Sequence, residues 1–128
     1  MSFGQRREFL TGSIKFQIAA LGALERFLKD QPPDYVFNDP GIRLHGLMFP
    51  YGYGGTKSAL TRVVRLIHPE QHGRNFRLEH TDLKNVPAAM QQLQTQLHVY
   101  ENGIINDQTG MGVIKKSKPI QLGELSRA

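Results

Sequence analysis

The sequence predicts an α+β fold: about three helices on a small, mostly antiparallel sheet, with an extended arm at the C-terminus. Two observations carry this expectation. Apolar residues recur at helical spacing in three segments, 13–29, 57–67 and 86–101, while 75–80 alternates strictly and other short apolar bursts are fenced by Gly and Pro. At 128 residues, the chain has room for one modest core. We expect a single domain over 1–116 and an arm over 117–128, with no internal repeat.

In the first segment, "SIKFQIAALGALERFLK", Ser13 is a candidate N-cap, and Asp30 followed by two prolines stops the helix. Ile14, Ile18, Leu21, Leu24 and Leu28 share a side, and Phe16, Ala20 and Phe27 widen it past half the circumference. What remains is a narrow basic strip of Lys15, Arg26 and Lys29, so a helix covered on two sides is expected. Residues 31–55 hold four Pro and five Gly, which predicts irregular chain with one or two short strands; the apolar bursts "DYVF" and "IRLHGLMF" fit either a strand or a helical turn.

The second helix, 57–67, ends before Pro69. In "NFRLEH", Phe76, Leu78 and His80 alternate with Arg77 and Glu79 as in a half-buried strand. "HTDLKN" then offers caps for the third helix, and Gly103 suits its end. There Val86, Met90, Leu93, Leu97 and Tyr100 form a two-heptad seam, too short for an independent coiled coil. It faces either its own core or a partner. "IINDQTGMGVIKK" reads as two short strands around a loop.

The absence of cysteine excludes disulfides, thiolate catalysis and cysteine-held metals. No run is long enough to span a membrane, and no signal-peptide pattern opens the chain, so a cytoplasmic setting is expected. The net charge of +5 is unevenly spread. Residues 56–80 and 115–128 carry +3 each, against +1 for 1–55 and −2 for 81–114. Such patches attract nucleic acid, anionic membrane or an acidic protein face.

"YGYGGTKS" has the look of a phosphate loop, but Tyr51 and Thr56 occupy the two positions that the pattern reserves for glycine. We therefore expect a glycine hinge and no nucleotide cofactor. Tyr51 and Tyr53 fit either a loop that presents aromatics to a ligand or a plain surface turn. The helix that follows is more informative. Its polar side carries Lys57, Arg62, Arg65 and His68 with no acid among them, whereas solvated helix faces usually mix signs. With Arg74 and Arg77 just beyond, these residues form the candidate anion- or nucleic-acid-binding set.

"HPEQHGR" does not make a metal site, because Pro69 separates His68 and His72 and the acid is misplaced for a zinc-protease motif. It shares only His68, Pro69 and Gly73 with the adenylyl-transfer loop of the Fic family. His68, His72, His80, Lys57 and Arg74 could instead serve a metal-independent ribonuclease as acid, base and charge stabiliser.

An amphipathic helix holding "ALERFL", then "GIRLHGLMF", then "LTRVVRLI" resembles the sheath-initiator subunits of contractile-tail baseplates. That family's closing acidic-Pro-Arg triplet is missing; Pro69-Glu70-Gln71 stands near it. The resemblance implies an assembly subunit of a phage-like particle. The leading expectation is thus a non-catalytic basic binding or assembly subunit that contacts nucleic acid or an acidic protein, or forms a homo-oligomer. Lys115, Lys116, Lys118, Ile120, Leu122 and Leu125 of the arm would meet protein partners. The alternative is a small metal-independent ribonuclease or toxin-type enzyme. No catalytic residue, metal or cofactor is assigned, and no membrane insertion is expected.

Overall fold

The computed structural model describes residues 3–39, 42–69, 76–105 and 112–113. The elements follow the order α1 (Phe3–Lys29), β1 (Val36–Asp39), α2 (Ile42–Leu47), α3 (Lys57–Ile67), β2 (Phe76–Glu79), α4 (Val86–Asn102), β3 (Ile104–Ile105) and β4 (Gly112–Val113). Two 3-10 turns, Phe49–Tyr51 and His80–Asn85, precede α3 and α4 respectively. The α+β class holds, with four helices where three were expected. Among the described residues no helix is long and apolar enough to cross a membrane.

The chain forms two compact units, Met1–Lys15 with Met90–Ala128, and Phe16–Ala89. Within the first, the Arg7 guanidinium donates to the Tyr100 carbonyl and, at 2.7 Å, to that of Gly103. A cation thereby meets the orphan carbonyls and the negative end of α4. Gly103 N–H bonds Val99 O at 2.7 Å and closes the same helix. β3 and β4 pair antiparallel, in keeping with the two short strands expected in "IINDQTGMGVIKK".

The second unit holds most of the buried apolar side chains. From α1 it takes Ala20, Leu21, Ala23, Leu24, Phe27 and Leu28, an arc of about half the helix at 3.6 residues per turn. Phe16, counted in the apolar arc from sequence, is 52% exposed. Ser13 is no cap, since α1 begins ten residues earlier at Phe3. The helix stops where expected: Asp30 N–H bonds Arg26 O, Gln31 N–H bonds Leu28 O, and Pro32 and Pro33 cannot continue.

β1 and β2 pair antiparallel with Phe37 opposite Leu78, and both of these side chains are buried. The alternation read in 75–80 therefore places Leu78 inward and Arg77 outward. "IRLHGL" folds as α2 rather than a strand, with Leu44 buried beneath it. Arg43 of α2 lies 5.1 Å over the Phe37 ring, a cation–π contact. Edge-on contacts from Tyr35 and Tyr51 to Phe27, at 5.9 and 5.5 Å, complete an aromatic cluster at the end of α1. The proposed boundary between residues 116 and 117 lies outside the described residues.

Candidate anion-binding face

α3 begins at a built cap. Thr56 is extended (φ −84°, ψ 153°), and its hydroxyl accepts the Ala59 N–H at 3.2 Å. Ala59, Leu60, Val63, Val64 and Ile67 are buried, and Leu66 is half-buried. The opposite side presents Lys57, Ser58, Arg62 and Arg65, all exposed, with Thr61 half-buried between them. The helix carries no Asp or Glu. Among the described residues neither Lys57 nor Arg65 makes an ion pair. Lys57 and Arg65 therefore keep their charge facing water, with Lys57 beside a helix N-terminus of the same sign.

The chain's exit from α3 is held by the second 3-10 turn. Asn85 Nδ2 donates to Ile67 O at 2.7 Å. His68 Nδ1 lies 3.0 Å from Asp82 Oδ1, and Asp82 Oδ2 accepts the Glu79 N–H at 2.8 Å. Asp82 is buried, and its carboxylate closes a capping box with Glu79. His68 keeps 23% of its side chain exposed, so it joins the basic stripe with an acidic partner beneath it. Arg77 is exposed and forms an ion pair with Glu79 at 2.6 Å, which balances its charge locally.

Arg74 and His72 lie outside the described residues, as do Lys115, Lys116, Lys118, Ile120, Leu122 and Leu125. Of the six basic candidates, Lys57, Arg62 and Arg65 thus share α3, and His68 is the residue that caps its end. Asp82 and Asn85 had no sequence signal beyond a run of capping residue types. Their partners lie 14 and 18 residues upstream and are met only through the fold.

The glycine loop turns inward. Gly52 has φ +85°, a left-handed conformation open to glycine, and its N–H bonds Phe49 O. Tyr53 is 2% exposed, and its hydroxyl donates to Thr56 O. Gly55 lies so close to that ring that a Cβ there would sit 2.8 Å from Tyr53 Cε2. His45 completes the cluster, with its ring 5.9 Å from Tyr53 and its Nε2 3.0 Å from Gly55 O. The Gly52 and Tyr53 N–H groups both bond backbone carbonyls, whereas a phosphate cradle needs such groups pointing at the ligand. Tyr53 is thus a packing residue of the loop, whereas Tyr51 is half-buried with its ring edge-on to Phe27.

Burial pushes the Tyr53 phenol above its ordinary range. Tyr35 shifts the same way for the same reason, offset in part by Arg43. Tyr51 is raised by lost solvation and by its hydrogen bond to Asp30. Among the described residues no three His, Asp or Glu side chains converge as metal ligands. No protein-family model, curated protein or solved structure matches this chain.

Proposed function

We propose that this chain is a basic binding subunit whose α3 face contacts the phosphate backbone of a nucleic acid. The observation that carries the reading is the exposed Lys57, Arg62 and Arg65 on a helix without a single acid. Eleven helical residues span about 16 Å at 1.5 Å each, enough to follow two or three phosphates of a single strand. Long cations on a rigid helix suit backbone contact, which fixes position without reading bases. His68, at the end of the stripe, adds a donor or a proton acceptor.

In the assembly version of this role, the basic C-terminal arm with Ile120, Leu122 and Leu125 meets a protein partner or a second copy, as the baseplate resemblance suggests. An acidic protein face is the competing ligand for α3 itself. A gel shift with random-sequence RNA and DNA at low salt separates the two. Retardation of the oligonucleotides at micromolar protein supports the reading. No retardation, together with capture of an acidic polypeptide, transfers the face to a protein partner.

A further inference from the structure

We infer that the Asp82–His68 pair at the end of α3 is a general base that cleaves RNA lying along the basic stripe. This inference rests on the reading of α3 as a nucleic-acid face, and it takes up the enzymatic alternative at one atom, Nε2 of His68.

The geometry divides the imidazole into a fixed side and an open side. Asp82 is buried with one oxygen engaged by the Glu79 N–H, and its other oxygen faces His68 Nδ1 at 3.0 Å. A carboxylate can only accept, so Nδ1 donates to Asp82, and in the neutral imidazole Nε2 keeps its lone pair. Among the described residues Nε2 has no hydrogen-bond partner, and the ring is partly open to solvent. A carboxylate that fixes the imidazole's tautomer and direction is the arrangement by which histidine bases are made ready in hydrolytic sites. Arg62 and Arg65 stand one turn apart on α3, and His68 is the residue that caps its C-terminus. A polyanion held by these guanidinia would run its backbone past Nε2.

The chemistry available narrows the substrate. The chain has no cysteine, and the described residues converge on no metal. A lone base next to positive charge suffices for a polymer that carries its own nucleophile, and RNA does so in its 2′-hydroxyl. His68 Nε2 takes the 2′-hydroxyl proton, and the 2′-oxygen forms a bond to the adjacent phosphorus. The P–O5′ bond breaks, and the departing 5′-oxygen takes a proton from water. The products are a 2′,3′-cyclic phosphate and a 5′-hydroxyl end, and His68 returns its proton to solvent. Arg65 stabilises the charge that builds on the non-bridging oxygens. Asp82 is a positioning residue in this scheme, since it acts through His68.

The test uses the full chain with end-labelled single-stranded RNA of mixed sequence in EDTA, and DNA of the same sequence as control. We expect cleavage of RNA only, with cyclic-phosphate ends. His68→Asn keeps a donor near the position of Nδ1 and removes Nε2. It should hold the fold while lowering the rate at which bound RNA is cleaved about a hundredfold or more, the ordinary contribution of a positioned base. Asp82→Asn presents an amide to Nδ1 and favours the tautomer with the proton on Nε2. Its cleavage of bound RNA should slow with little change in affinity, a separation that a merely structural role would not produce. RNA that binds without cleavage, or equal cleavage by wild type and His68→Asn prepared in parallel, overturns the inference and leaves the binding face standing. Absence of binding overturns the binding reading itself.

Discussion

The glycine loop and helix α3 adjoin in sequence, and both carry features associated with anion binding, yet the fold uses them in opposite directions. The loop spends its special residues on itself: Gly52 makes a left-handed turn, and Gly55 leaves room for the buried Tyr53 ring. α3 divides cleanly, with five buried apolar side chains on one side and three exposed cations on the other. A motif that matches in residue type but misses its glycine positions reports packing. On α3, by contrast, Lys57 and Arg65 are exposed on a helix without an acid.

The largest effect expected from this contrast lies in the loop. Tyr53→Ala removes a fully buried ring and the hydroxyl bond to Thr56 O, and should lower unfolding free energy by about 3–5 kcal/mol in urea titration. A loss under about 1 kcal/mol would mean that the loop is not built around this ring.

Gly55→Ala should follow at about 1–3 kcal/mol, because the new methyl meets the Tyr53 ring at 2.8 Å and both are held by the packing around His45. The double variant Gly55→Ala with Tyr53→Ala sharpens the comparison. Without the ring the methyl has room, so the two losses should combine to less than their sum.

The loop and its neighbours also predict alkaline lability. Tyr35, Tyr51 and Tyr53 all have phenols raised above the ordinary value of 10.0. A group whose folded value is raised binds its proton more tightly when folded. Its stabilisation is therefore present below the unfolded value and is lost as pH rises through the folded one. The melting temperature should fall progressively above pH ~10, and the phenolate absorbance of the buried Tyr53 should appear together with unfolding. Phenolate formation complete before any loss of structure would contradict the buried setting of Tyr53.

Smaller still is the effect of Lys57→Ala. The side chain is exposed, so stability should stay within about 0.5 kcal/mol of wild type. ATP and GTP should give no saturable signal with either protein. Micromolar nucleotide binding lost in the variant would make the loop a phosphate site after all.

Sequence legibility followed the same division. α3 was readable to both ends because Thr56, an acid-free amphipathic period and Pro69 all agree. β2 and α4 emerged from alternation and from a heptad spacing in the same way. The N-terminal extension of α1 is not legible because Ser13 is a good cap by type, yet the helix already runs through Thr11, whose hydroxyl donates to Arg7 O one turn back. α2 was ambiguous because six apolar-rich residues satisfy both periods. In the site, the cations were visible because charge is local. Asp82 was not, because its role depends on a contact with His68 that only the fold creates.

The central claim, that the acid-free face of α3 holds a phosphate backbone, is tested most directly by the salt dependence of RNA binding in the double variant Arg62→Ala with Arg65→Ala. Binding of single-stranded RNA by the wild type should weaken linearly on logarithmic axes as salt rises. The variant should lower that slope by about 1.4, two contacts at about 0.7 each. It should also weaken affinity alike across sequences. Its melting temperature should match wild type, because the buried side from Ala59 to Ile67 is untouched. An unchanged slope in a folded double variant, or no RNA binding by the wild type at low salt, would contradict the account.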